Sequence, residues 1–148
     1  DAAYHLTRNR TVFFGMADTI MSPPDVFART RAAMTPGDDV MLTLFPTTRP
    51  EKFGMVRLGE GGQVVEIVDK PREKTSLTEM WGAIVWRPRF TERLHESVGR
   101  KEVDFAKILN GAIRDGLRVR GVSISDGSFS DLGTYEEIRE LDLTSRQP

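Results

Sequence analysis

Residues 11–18 read T-V-F-F-G-M-A-D, a short and nearly continuous apolar run that closes in a glycine-containing turn and an aspartate. A strand covered on both faces shows unbroken apolarity of this kind, whereas a half-exposed strand alternates. The run predicts a strand over Thr11–Met16, buried on both faces inside an α/β sheet, with Asp18 at its carboxyl end. Val40–Phe45 (VMLTLF) and Met80–Trp86 (MWGAIVW) repeat the pattern. Between them, Gly54–Leu58 and Val64–Val68 flank Glu60-Gly61-Gly62, a hairpin signal.

Helical spacing fills the intervals. Residues 2–9 read as the tail of a helix, so that polypeptide upstream of Asp1 is expected. Ser22 is placed as the cap of a helix that runs to about Met34, with Val26, Phe27, Thr30 and Met34 on one face. Pro88 opens a short helix lined by Phe90, Leu94 and Val98. Asp104 caps another with Phe105, Ile108, Leu109, Ala112 and Ile113 in register, ended by Asp115-Gly116. Leu117–Ile124 reads as a late strand, Ser125–Gly133 as a loop and Thr134–Leu141 as a terminal helix. The order predicts an α/β fold with a mixed, mostly parallel Rossmann-like sheet and an inserted antiparallel hairpin, with residues 1–148 as a single domain.

Composition narrows the function. A net charge of −1, with both signs spread along the chain, lacks the electrostatic footprint of a nucleic-acid binder. No cysteine is present, which removes disulfides, thiolate nucleophiles and cysteine-held zinc. No apolar run is long enough to cross a bilayer, and there is no basic-then-apolar leader, so a cytoplasmic location away from membranes is expected. His5 and His95 stand alone, without a second ligand at metal-like spacing.

Ligands of open α/β sheets sit beyond the carboxyl ends of the strands, and Asp18 and Asp131 lie at two such ends. Two carboxylates are what Mg2+ takes when substrate phosphates complete its shell; capping a turn and a helix are the competing uses. Asp69-Lys70-Pro71 ends the hairpin, pairing an acceptor for hydroxyls with an ammonium for a phosphate, or else forming a plain surface turn. Gly54 and Gly82 lack side chains where strands are otherwise bulky, which permits close approach of a ligand or of packing neighbours. Trp81 and Trp86 read as core residues, with a platform for a sugar ring as the competing use.

Taken in order, G-M-A-D-T-I (15–20), L-F-P-T (44–47), F-G-M-V (53–56), V-D-K-P (68–71), W-G-A-I-V-W-R-P (81–88) and F-S-D-L-G-T-Y-E-E-I (129–138) resemble the bacterial sugar nucleotidyltransferases. That group includes glucose-1-phosphate thymidylyltransferase and uridylyltransferase. The resemblance covers nearly the whole chain and implies part of a nucleotide-diphospho-sugar transferase fold. It assigns Asp18 and Asp131 to Mg2+, Gly54, Asp69 and Lys70 to a sugar phosphate, and Gly82 to the sugar ring, with Asp18, Lys70 and Asp131 as the catalytic set. The implied partners are a sugar 1-phosphate and a nucleoside triphosphate.

The sequence departs from the family pattern in three places. Asp69 stands where glutamate is usual, one methylene shorter, and Trp81 is uncommon before the glycine. Within these 148 residues there is no G-x-G-T-R loop and no downstream proline-lysine to cradle the triphosphate. The chain is therefore expected to be the sugar-phosphate- and metal-binding part of the enzyme, inactive alone. It would be completed by an N-terminal segment, or would pair with a second copy through the strand at 11–16. The alternative is a non-catalytic sugar-phosphate or nucleotide-sugar binding or regulatory domain. A glycosyltransferase is disfavoured by the lack of a D-x-D motif.

Overall fold

Strand β6 (Glu79–Trp86) organises the sheet in the computed structural model, which describes residues 2–135 and 138–139. One edge of β6 pairs antiparallel with β3 (Val40–Pro46) along its whole length. Its other edge takes two strands end to end: β1 (Val12–Gly15) along Ala83–Trp86, and β4 (Gly54–Leu58) at Met80. Beyond β4 lies its hairpin partner β5 (Val64–Asp69), and beyond β3 lies β7 (Val119–Ser123). The order is β5-β4-β6-β3-β7 with β1 beside β6. β1, β3, β4 and β7 point one way and β5 and β6 the other. The α/β class and the mixed sheet with its hairpin follow the expectation from sequence. Because β6 inserts between co-directional strands, β3–β7 is the parallel ladder among the described residues.

β3 is apolar throughout because it is flanked on both edges and covered on both faces; Val40, Met41, Leu42, Leu44 and Phe45 are fully buried. One face packs its leucines with Ile84 and Trp86 against α3 (Pro88–Gly99) and α4 (Phe105–Arg114). The other face meets α2 (Val26–Ala33) and a separate two-stranded ribbon of β2 (Thr19–Ser22) and β8 (Ser128–Asp131). On that face the buried hydroxyls of Thr30 and Thr43 satisfy one another at 2.7 Å. A short helix, α1 (Tyr4–Thr7), precedes β1 and rests on α3, with Tyr4 stacked on His95 at 3.9 Å.

At the amino end of β3, Asp38 is fully buried yet charged. Its Oδ2 accepts from the Thr35 amide (2.7 Å), the Thr35 hydroxyl (2.8 Å) and Arg120 (3.2 Å). Arg118 Nε stands 3.2 Å from Oδ1 at ion-pair distance, without the alignment of a hydrogen bond. Burial by itself would raise the Asp38 pKa; the Thr35 donors, with Arg120 and Arg118, outweigh it and hold the carboxyl below its ordinary value.

Three expectations need correction. β1 is not buried on both faces: its residues alternate and Phe13 is 50% exposed, because β1 is an edge strand with β6 as its ladder partner among the described residues. Ser22 does not cap α2. It belongs to β2 opposite Ser128, and Asp25 occupies the cap position, its carboxylate paired with Arg29 at 3.1 Å. Residues 125–133 are not all loop, since Ser128–Asp131 forms β8; a four-residue strand reading S-F-S-D carries no apolar run to announce it. The terminal helix at 134–141 falls partly outside the described residues, as does Asp1. Ile138 N donates to Thr134 O at 3.2 Å. The hairpin is as expected, with Gly61 and Gly62 in the left-handed region at φ 62° and 76°. None of the described helices is long and apolar enough to cross a membrane.

Candidate functional site

The register along β6 creates a notch in the sheet. β1 ends opposite Ala83 and β4 begins its pairing at Met80, so neither strand ladders with Trp81 or Gly82 on that edge. A β-bulge falls at the same place on the other edge, where Thr43 pairs with Ala83 and Leu44 with Trp81. The carboxyl end of β1 and the amino end of β4 face each other across this gap. Gly15-Met16-Ala17-Asp18 leaves from one side of it and Gly54 stands at the other.

The ribbon brings Asp131 to Asp18. Thr19 pairs with Asp131 in the β2–β8 ladder, and Leu132 N donates to Asp18 O at 2.8 Å. Two aspartates far apart in sequence thus occupy neighbouring backbone positions at one end of the ribbon. Asp18 is exposed. Asp131 Oδ1 accepts from Gly133 N at 3.0 Å. Among the described residues no group of three or more His, Cys, Asp and Glu could cage a metal. A carboxylate pair is the donor set of a hard cation that completes its octahedron with water and substrate phosphates, so the residues fit Mg2+ in that role and not a closed structural site.

The hairpin places Asp69, Lys70 and Gly54 together. Gly54 pairs with Asp69, and Lys70 N donates to Phe53 O at 3.0 Å. Lys70 has φ 44°, a left-handed conformation unusual for a residue with a Cβ; it turns the chain sharply out of β5 before Pro71. The side chains of Asp69 and Lys70 are exposed.

The two glycines open on opposite faces of the sheet. A Cβ on Gly54 would stand 2.3 Å from Trp81 Nε1, on the face where Trp81 packs beside Phe105, with ring centroids 5.8 Å apart. A Cβ on Gly82 would stand 2.6 Å from Phe129 and 2.9 Å from Phe45, on the ribbon face. Gly54 therefore belongs with Asp69 and Lys70, whereas Gly82 belongs with Phe129 and, two residues further along β8, Asp131. An aromatic ring fills the opening above each glycine.

On the ribbon face, a cavity of about 400 Å³ lies beyond the carboxyl end of β3, walled by Pro46, Thr48, Arg49, Phe53, Met80 and Phe129. Its volume lies in the range of small-molecule pockets. Sequence reasoning gave Thr48, Arg49 and Phe129 no role. The signal that could have found the first two is Pro46, which stops β3 at the end where α/β sheets bind ligands.

Comparison with known proteins agrees with this architecture. The family model described as "Nucleotidyl transferase" matches residues 4–147. A glucose-1-phosphate thymidylyltransferase of Streptomyces griseus is 29% identical over 143 residues, covering 87% of this chain and 38% of that protein. Among solved structures, a Bacillus anthracis protein assigned as a glucose-1-phosphate thymidylyltransferase, in complex with sucrose, superposes with a TM-score of 0.80 at 19% identity. The match covers 99% of this chain and 59% of that one. The inositol-1-phosphate CTP transferase of T. maritima follows at 0.73 and 15% identity, covering 98% and 59%. At these identities the structural likeness speaks for the fold, and this chain spans only part of the length of each relative.

Proposed function

This chain belongs to the nucleotidyl transferase family, and from that premise we propose that it forms the sugar-phosphate- and Mg2+-binding part of a sugar-1-phosphate nucleotidyltransferase. The observation that supports the reading is the backbone adjacency of Asp18 and Asp131 at one end of the β2–β8 ribbon, with Gly54, Asp69 and Lys70 grouped at the hairpin end beside the β6 notch. The reaction joins an oxygen of the sugar 1-phosphate to the α-phosphorus of a nucleoside triphosphate as the α–β bond breaks and pyrophosphate leaves. Asp18 and Asp131 would hold Mg2+, which when bound would spread the charge of the phosphates. Lys70 meets the sugar phosphate as a point charge on a flexible stem, and Asp69 accepts from sugar hydroxyls.

Donors for the leaving pyrophosphate come, in this reading, from polypeptide other than these 148 residues, so the chain binds without turning over. A purely regulatory sugar-phosphate domain shares the same site and differs in never being completed. Metal binding tests the assignment: titration with Mn2+ followed by paramagnetic resonance should give one site, weakened at least about tenfold in Asp18→Asn and in Asp131→Asn. Unchanged Mn2+ affinity in both variants would remove the two aspartates from the site. The cytoplasm is the proposed location, with pairing through the β1 edge as the proposed mode of assembly.

A further inference from the structure

The indole of Trp81 is anomalous in two independent ways. Its ring lies across Gly54 so closely that any Cβ there would overlap Nε1 and Cδ1. Its Nε1 is buried and has no hydrogen-bond partner among the described residues, although the residue as a whole is only partly buried. Trp86, five residues on along the same strand, shows the ordinary solution: its Nε1 donates to the Thr91 hydroxyl at 2.9 Å. A tryptophan that is core and nothing more normally finds such an acceptor, since an unmade hydrogen bond costs the full desolvation of the donor. Trp81 leaves its donor unmatched at the rim of the notch, directly over the hairpin glycine that opposes Asp69.

We propose that Trp81 is a specificity-determining residue of the sugar-phosphate site, a plug that fills the space above Gly54 and that a ligand displaces, taking the indole N–H as a donor. The inference rests on the reading of the notch as a sugar-phosphate site. Displacement exchanges a packing contact for a hydrogen bond the free protein lacks, so the ring swings at little net cost for a ligand that offers an oxygen there. A ligand that offers none must displace the plug without return, and the site discriminates against it. The bulk of the indole also limits how large a substituent the sugar can carry on that side.

The chain has two tryptophans, so 5-fluorotryptophan labelling gives two 19F resonances, assigned with Trp81→Phe. On adding glucose 1-phosphate with Mg2+, the Trp81 resonance shifts with saturation while that of Trp86 stays in place. Saturable binding by calorimetry with the Trp81 resonance unmoved overturns the plug and leaves the sugar-phosphate site standing. No binding of glucose 1-phosphate or of N-acetylglucosamine 1-phosphate overturns the site and the plug together. Trp81→Phe keeps the bulk and removes the donor, lowering affinity for glucose 1-phosphate about tenfold; unchanged affinity overturns the donor role. Trp81→Ala shifts the ratio of affinities toward the bulkier N-acetylglucosamine 1-phosphate about tenfold, and an unchanged ratio overturns the specificity role.

Discussion

Asp38 shows how a single residue ties stability to pH. It is fully buried at the foot of β3, held by Thr35, Arg120 and Arg118, with its pKa below the ordinary carboxyl value of 3.8. A carboxyl depressed in the folded state contributes stability that is complete above its unfolded pKa and lost as pH falls through the folded one. The chain should therefore lose stability as pH falls below 3.8, and Asp38→Asn should flatten that part of the curve in chemical denaturation. At neutral pH the same substitution leaves Arg118 and Arg120 without their buried partner, at a cost of about 2–3 kcal/mol, moderated by the partial exposure of both guanidiniums. A second residue, Gly54, is constrained by its neighbour: Gly54→Ala drives a methyl group into the Trp81 indole. It should cost about 1–3 kcal/mol in urea midpoint measurements, and Trp81→Ala in the same chain should relieve the overlap.

Among the elements, the β2–β8 ribbon depends on one anchor. Phe129 reaches across to Phe45 and Phe53, each with ring centroids 5.8 Å away, and covers Gly82. Phe129→Ala should cost about 2 kcal/mol. It should also raise amide exchange in residues 19–22 and 128–131 while β3 stays protected, a pattern that uniform destabilisation would not give. This ribbon is also the part that sequence reading missed. β3, β6, the hairpin and α4 are legible because long apolar runs, a Gly-Gly turn and a capped 3.6-residue spacing each carry a strong local signal; Asp104 does accept from Lys107 N at 3.1 Å. β2 (TIMS) and β8 (SFSD) have four residues each and no sustained apolar run, and exist because they pair with each other across the fold. The candidate site divides the same way. Asp18 and Lys70 follow strands that the sequence announces, β1 and β5, whereas Asp131 closes β8, which it does not. The notch could not be read either, because nothing local states that β1 and β4 share one edge of β6, nor that aromatic rings fill the spaces above Gly54 and Gly82.

At the scale of the molecule, the sheet is finished on the α3–α4 face and unfinished around β1. Phe13, Met16 and Ile20 are 50%, 40% and 44% exposed beside a strand with a ladder on one edge among the described residues. Exposed apolar side chains next to an open edge favour association. Light scattering at tens of micromolar should detect self-association that Phe13→Lys reduces, with little change in melting temperature. If the notch binds a sugar phosphate, Lys70 supplies the charge that meets it. Calorimetric titration of the chain with glucose 1-phosphate in the presence of Mg2+ tests it most directly. Binding should be saturable and weakened at least about tenfold by Lys70→Ala at an unchanged melting temperature; equal affinity in the Lys70→Ala chain, or no binding in the unaltered one, would contradict a role for this lysine in a sugar-phosphate site.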